Sequence, residues 1–111
     1  MSEEVYPECI KSLPKVKTSL PGVQGWVGKG EEFQIVFFEI EQTATVPPHS
    51  HCAQFGIVID GEMELTIGNE TKRYRKGDTY YIPDSVIHHA KPLTFVRAMD
   101  FFADANRYKI E

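Results

Sequence analysis

The stretch that decides the fold begins with HSHCAQ at residues 49–54 and ends with IPDSVIHHA at residues 82–90. Between these segments, short runs rich in β-branched and aromatic residues alternate with turn signals at Asp60-Gly61, Gly68-Asn69 and Gly77-Asp78. Glycine-containing turns between apolar runs are typical of β-hairpins. With the runs on either side, they predict seven or eight short antiparallel strands and no convincing helix, and therefore an all-β sandwich or barrel.

Proline punctuates the N-terminal part of the chain, at Pro7, Pro14 and Pro21. This spacing excludes a long helix and favours extended segments joined by turns. We therefore expect residues 1–30 to form an extended N-terminal arm and residues 31–111 to form a single barrel domain. The run FQIVFFEIE at residues 33–41 is apolar on both faces, which predicts a strand covered on both sides. A second subunit is one such cover, so we predict a homodimer.

Composition and charge limit the kinds of protein that this chain can be. Its 111 residues, 41% hydrophobic and 25% charged, suit one domain with its own core. The formal net charge of −4 argues against a nucleic-acid partner. The acidic start MSEEVYPECI and the lack of a long apolar run predict a soluble cytoplasmic protein with no membrane partner. Cys9 and Cys52 are too few for a disulfide scaffold.

Three of the four histidines are candidates for a metal site. His49 and His51 are separated by one residue, so they project to the same side of an extended chain. His88, from a neighbouring antiparallel strand, can supply a third imidazole and close one face of a coordination sphere. The histidine pair alone leaves a second interpretation open, two surface histidines beside a Pro-Pro turn.

The frame around these histidines resembles the cupin superfamily. The two motifs of that family appear in its order, one as His49, His51, Gln54 and Gly61 and the other as Gly77, Pro83 and His88. The resemblance implies an antiparallel jelly-roll β-barrel that holds one divalent metal ion on His49, His51, His88 and Gln54. It selects His88 over the adjacent His89.

This sequence departs from the family pattern at two positions. Gln54 replaces the usual glutamate and lies one residue closer to His51 than is customary, and Ser85 replaces the glycine that follows the second-motif proline. Gln54 is therefore either a ligand through its carbonyl oxygen or a hydrogen-bonding residue of the pocket. Three imidazoles and an amide are all neutral, so a bound metal keeps its 2+ charge and favours a small anionic ligand. These donor types are compatible with zinc, nickel, manganese or iron.

The last strand-like run and the chain end supply further pocket candidates. Alternation puts Asp100 and Phe102 on one face of the strand and Arg97 on the other. Asp100 is either a general acid or base near the metal or a strand-end aspartate paired with a surface arginine. Tyr80 and its neighbour Tyr81 point to opposite faces, so one of them can line the pocket.

Two segments, HSHCAQFGIVIDGEMELTIG and GDTYYIP, resemble one branch of the cupin superfamily, the small KdgF-type cupins of pectin and alginate breakdown. That branch holds its metal on three histidines and a glutamine and linearises unsaturated monouronates. The resemblance places Asp100, Phe102 and Arg107 around the substrate. We therefore expect Asp100 and Arg107 to be catalytic and Arg97, Tyr80 and Phe102 to bind a carboxylated sugar. The alternatives are an iron-dependent dioxygenase and a non-catalytic module that binds a metal or a small molecule.

Overall fold

A computed structural model describes residues 5–111, which form two antiparallel β-sheets. The elements follow in the order α1 (Glu8–Lys11), β1 (Val23–Lys29), β2 (Gln34–Ile40), β3 (Val46–His49), β4 (Gln54–Asp60), β5 (Glu62–Ile67), β6 (Glu70–Arg75), β7 (Thr79–Ile82), β8 (His88–Pro92) and β9 (Val96–Phe102). One sheet has the strand order β1-β2-β9-β4-β7 and the other the order β3-β8-β5-β6. The prediction of an all-β, antiparallel jelly-roll fold is confirmed.

The core lies between the two sheets and is built from the alternating inward residues of their strands. Met63 and Leu65 from β5 pack with Ile82, Val96 and Ala98 from the opposite sheet. Each of these five side chains is at most 5% exposed. Burial of a large aliphatic side chain contributes about 1.5–3 kcal/mol to folding, so this layer holds the sheets face to face without a disulfide or a metal.

The N-terminal segment is fastened to the outside of the five-stranded sheet by Tyr6. Its hydroxyl donates to the backbone carbonyl oxygen of Phe38 at 2.8 Å. Its ring stands edge-on to Trp26 and to Phe37, with centroid separations of 6.0 and 5.8 Å. The outer face of β2 was predicted to be covered, and at Phe37 the chain's own Tyr6 provides the cover.

The segment expected to be an arm also supplies a strand. β1 lies within residues 1–30 and pairs with β2 along its whole length, as the edge strand of the five-stranded sheet. Before it, α1 is a single helical turn between the prolines. The division into an arm over 1–30 and a barrel over 31–111 stays a prediction. Within residues 5–111, no helix is long and apolar enough to cross a membrane.

The segment before β1 pairs with the C-terminal residues beside the cavity. Val16 forms a β-bridge with Ile110, and the Lys17 amide donates to the Lys109 carbonyl oxygen at 2.7 Å. Residues 17–20 and 107–109 consequently line the same cavity between the sheets. The N-terminal and C-terminal segments therefore shape the access to whatever the barrel binds.

Candidate metal centre

A cavity of about 490 Å³ lies between the sheets. This volume falls in the range of small-molecule binding sites, roughly 300–1,000 Å³. Eight polar residues were predicted from the sequence to form the site, and seven of them line this cavity. The seven are His49, His51, Gln54, Tyr80, His88, Asp100 and Arg107. Phe102 also lines it. The nominated side chains therefore face one space, with the exception of Arg97.

The three nominated histidines form one cluster. His49 ends β3 and pairs in register with His88, the first residue of β8, while His51 follows in the loop. Their ring centroids are 4.2 Å apart for His49 and His88, 4.7 Å for His51 and His88, and 5.1 Å for His49 and His51. One ring nitrogen from each lies within 4.8 Å of the other two. The adjacent His89 is exposed on the opposite face of β8, as alternation requires.

Each histidine of the cluster is oriented by a backbone carbonyl. The Nδ1 atoms of His49, His51 and His88 lie 2.8, 2.8 and 2.9 Å from the carbonyl oxygens of Pro47, Cys52 and Val86, respectively. A carbonyl oxygen only accepts, so each Nδ1 carries the hydrogen and donates it. The neutral tautomer that results leaves the Nε2 lone pair free in all three rings. This is the arrangement in which a metal-ligating histidine is fixed by its other nitrogen.

The surroundings of His51 and His88 favour the neutral form of their imidazoles. Burial, followed by the nearby Arg107 charge, lowers the pKa of His51 from 6.5 to about 4. Burial also lowers the pKa of His88. A neutral imidazole is the form that binds a metal. The donor set therefore fits a divalent metal ion, held by the Nε2 atoms of His49, His51 and His88.

Gln54 and Asp100 form one hydrogen-bonded unit beside the histidines. Asp100 is 3% exposed. Its Oδ1 accepts from the Gln54 amide Nε2 at 2.8 Å and from the Tyr80 hydroxyl at 2.7 Å. Because the carboxylate takes the amide hydrogen, the Gln54 carbonyl oxygen is left for another partner. The two interpretations of Gln54 are thus compatible: its amide bonds Asp100, and its oxygen remains free for a cation.

Asp100 is a buried acid whose only hydrogen-bond partners among the described residues are neutral. Burial raises the pKa of its carboxyl from 3.8 to about 6, although the bonds from Gln54 and Tyr80 oppose the shift. The alternative of a strand-end aspartate paired with a surface arginine does not describe this position, because Asp100 faces the cavity. A carboxyl that titrates near neutral pH suits proton transfer.

Gly56 makes the approach of Asp100 and Tyr80 possible, and sequence reasoning missed it. It is paired with Tyr80 on β7 and with Asp100 on β9, between the two side chains. A Cβ atom at residue 56 would collide with Asp100 Oδ1 and with the Tyr80 ring. An isolated glycine within a strand is a signal of such close approach, and QFGIVI carries it.

Arg107 is the least exposed of the three cations that line the cavity; the other two are Lys17 and Lys109. Its guanidinium lies over the rings of Phe102 and Tyr108, 5.4 and 4.2 Å from their centroids. Its Nε is buried and has no hydrogen-bond partner in residues 5–111. No carboxylate of this part of the chain forms an ion pair with it. The guanidinium as a whole is half-buried, and Nη2 donates to the Tyr108 hydroxyl at 3.5 Å. A half-buried guanidinium without an acidic partner is suited to bind an anionic group of a ligand.

Arg97, the other nominated arginine, does not face the cavity. It lies on the outside of β9, where its guanidinium pairs with Glu39 at 3.0 Å and with Asp60 at 3.1 Å. These two carboxylates neutralise it and occupy its fork of donors. The predicted substrate contact of Arg97 is therefore not matched by its position, since alternation along β9 turns it away from Asp100 and Phe102.

Ser85 occupies a turn that suits glycine. It has a φ of +66°, in the left-handed region, where a side chain is unfavourable. Its amide donates to the His51 carbonyl oxygen at 2.8 Å. The turn therefore ties the second motif to the first, and it explains physically why a glycine is customary at this position.

Comparison with known proteins agrees with this geometry. The cupin domain profile matches residues 36–94, more than half of the chain. The chain belongs to the cupin family. No curated protein sequence matches it.

Solved cupin structures superpose on most of this cupin. KdgF from Halomonas sp. has a TM-score of 0.72 and 23% identity, covering 82% of this chain and 87% of that one. An RmlC-like cupin from Shewanella frigidimarina has a TM-score of 0.79 and 21% identity, covering 95% of both chains. A variant of oxalate decarboxylase from Bacillus subtilis has a TM-score of 0.73 and 15% identity, covering 87% of this chain and 29% of the other. At these identities the likeness shows the cupin fold and not a shared reaction.

Proposed function

We propose that this cupin is a metal-dependent enzyme that linearises a small carboxylated sugar, an unsaturated monouronate. The observation that carries the proposal is the shared cavity. The buried carboxyl of Asp100 faces the same space as three histidines with free Nε2 atoms. Arg107 lines that space too, and it forms no ion pair with a carboxylate of residues 5–111. The choice of substrate follows the sequence resemblance of residues 49–68 and 77–83 to the KdgF-type cupins. Arg97 is left out of the proposed substrate site.

Three groups of the chain divide the work. A divalent metal held by the histidines supplies Lewis acidity toward a substrate oxygen when it is bound. Arg107 binds the substrate carboxylate, because it is a half-buried cation that forms no ion pair with a carboxylate of residues 5–111. The rings of Phe102 and Tyr108 pack against its guanidinium. The carboxylate of the ligand would then form an ion pair with this cation.

Asp100 moves the proton in this scheme. Ring opening breaks the bond between the anomeric carbon and the ring oxygen, and the electron pair of that bond stays on the oxygen. The hydroxyl on the anomeric carbon loses a proton to the Asp100 carboxylate, and the aldehyde forms. The other end of the opened ring is then an enolate. The protonated carboxyl returns this proton to the carbon of the double bond that does not bear the oxygen, and the enolate C–O group becomes a ketone. The reaction is an isomerisation, and a pKa near 6 lets one carboxyl perform both transfers.

The test is to mix metal-reconstituted protein with an unsaturated monouronate and to follow loss of its conjugated-enol absorbance. We expect loss in the wild type, none in His88→Ala, and at least a hundredfold slower loss in Asp100→Asn with metal content retained. Full activity of Asp100→Asn would remove its proton-transfer role. Oxygen consumption with ferrous iron would instead identify a dioxygenase, and ligand binding without conversion would identify a binding module.

We also propose that this cupin is a homodimer that pairs through an outer aromatic patch. Phe55, Tyr81 and Phe101 are 49%, 58% and 41% exposed, and with Ile35 they form one registered row across the outside of the five-stranded sheet. These four side chains carry no charge, so a two-fold axis can place the patch against itself without burying a charge. Ile35 belongs to the strand that was predicted to be covered.

Sedimentation at micromolar concentration tests the dimer. We expect a dimeric mass for the wild type and a monomeric mass for Phe101→Asp. Asn69→Asp is the control, because it adds the same charge on the β5–β6 hairpin of the other sheet. A monomeric wild type would contradict the proposal.

A further inference from the structure

One part of the cavity lining consists of apolar side chains, most of which pack together in one cluster. We call this region the aliphatic chamber; its lining residues are Ile40, Val46, Met63, Leu65, Ala90 and Ala98. Ala90 lies two residues along β8 from His88, and Ala98 lies two residues along β9 from Asp100. Two residues of a strand span about 7 Å, so the chamber adjoins the candidate metal centre at a distance of about one sugar ring.

The side-chain donors beside the chamber are already engaged. The Tyr80 hydroxyl and the Gln54 amide both donate to Asp100. Leu65 and Ala90 are partners in the β5–β8 ladder, so their backbone groups belong to the sheet. A hydroxyl group that lies among the six apolar side chains of the chamber therefore loses its water and finds no partner among them.

We infer that the ligand of this site is a hydroxyl-poor carboxylate. Its carboxylate head lies at Arg107 and the histidines, and its apolar body fills the aliphatic chamber. The inference rests on the proposed function for the head and adds a requirement for the body. An unsaturated monouronate meets it in part, because its ring double bond replaces one hydroxyl and leaves an apolar edge.

The same requirement predicts discrimination against fully hydroxylated uronates. A buried hydroxyl without a partner costs its desolvation, which corresponds to a loss in affinity of about tenfold or more for each group. The cavity lining outside the chamber includes the polar residues Lys17, Thr18 and Ser19. Hydroxyls on the side of a ligand that faces these residues are tolerated.

A matched pair of ligands tests the inference by calorimetric titration of the zinc-loaded protein. Cyclohexanecarboxylate and glucuronate both carry a carboxylate on a six-membered ring, and they differ mainly in hydroxyl groups. We expect cyclohexanecarboxylate to bind at least tenfold more tightly. Ala90→Leu fills the chamber and is expected to weaken cyclohexanecarboxylate at least tenfold, with less than a threefold effect on zinc affinity. Ala98→Val provides a smaller filling change if Ala90→Leu fails to fold.

The test distinguishes failure of the proposed carboxylate site from failure of the inference about the apolar body of the ligand. Arg107→Gln is expected to weaken both ligands by a similar factor, because both share the carboxylate. If neither ligand binds the wild type, the proposed function fails together with the inference. If glucuronate binds as tightly as cyclohexanecarboxylate, or if Ala90→Leu and Ala98→Val leave the difference unchanged, the hydroxyl-poor class is overturned while the carboxylate site stands.

Discussion

Gln34 is the residue whose replacement tests how the anion-binding arginine is held. Its side chain is fully buried. Its Nε2 donates to the carbonyl oxygens of Ala105 and Tyr108, both at 2.9 Å, and its Oε1 accepts from the Tyr108 amide at 3.0 Å. Arg107 lies inside the segment that these three bonds fasten. We predict that Gln34→Leu destabilises the fold and weakens carboxylate binding together.

The size of the effect follows from those three bonds. Each intramolecular hydrogen bond contributes about 1 kcal/mol net, so their loss costs about 3 kcal/mol. The three backbone groups left unpaired add a desolvation cost if they stay buried, and the leucine offsets about 1–2 kcal/mol by its own burial. The expected net loss is about 2–4 kcal/mol. If the 105–108 segment detaches into water, its backbone groups bond to water and the loss in free energy of unfolding is smaller. Arg107 is then no longer held at the cavity.

Urea unfolding measures the first effect, and calorimetric titration with cyclohexanecarboxylate measures the second. Gln24→Leu is the matched control, because Gln24 is an exposed glutamine on the neighbouring strand β1 that bonds only Glu39 at 3.0 Å. We expect the control to change the free energy of unfolding by less than about 0.5 kcal/mol. The reasoning is refuted if Gln34→Leu matches this control in stability and retains the wild-type affinity.

Three further predictions concern the site. Folding raises the pKa of Asp100 from 3.8 to about 6, so its stabilising contribution is complete well below pH 3.8 and is lost as the pH rises through 6. In urea unfolding, the metal-free wild type should lose about 2.4 kcal/mol relative to Asp100→Asn between pH 4 and 7.5. A hundredfold excess of zinc over its dissociation constant should stabilise the wild type by about 2.7 kcal/mol, and a similar gain in His88→Ala would contradict the three-histidine site. Ser85→Gly removes a side chain from a left-handed position and should stabilise the protein by about 1 kcal/mol in the same assay, whereas destabilisation would show that the serine side chain is needed.

The strands and most of the histidine cluster were predictable because they follow from short-range patterns in the sequence. Alternation with a period of two marks the inward face of β5, and glycine turns at fixed intervals set where β4, β5 and β6 begin and end. One residue between His49 and His51 puts both rings on one side of the chain. The family frame then selected His88 over His89, and the register of β3 with β8 brings it to the pair.

Other features depended on contacts that no local pattern encodes. Asp100 and Gln54 are 46 residues apart, and Gln34 and Tyr108 are 74 apart. Alternation correctly separated Arg97 from Asp100, but only the folded chain shows that Arg97 is neutralised by Glu39 and Asp60. Gly56 reads locally as a bulge or a close approach, and the structure specifies which side chains approach it.

By itself, the sequence determined the all-β fold and the shared face of His49 and His51, because the side-chain period of a strand and the spacing of turns fix which residues share a face; the family resemblance added His88. Only the tertiary structure decided that Asp100 faces the cavity and bonds Gln54, that Arg107 has no carboxylate partner in residues 5–111, and that an aliphatic chamber adjoins the histidines. These features arise where strands distant in sequence meet across the barrel. Their geometry depends on sheet register and on the docking of the chain end, which the alternation of a single strand does not specify.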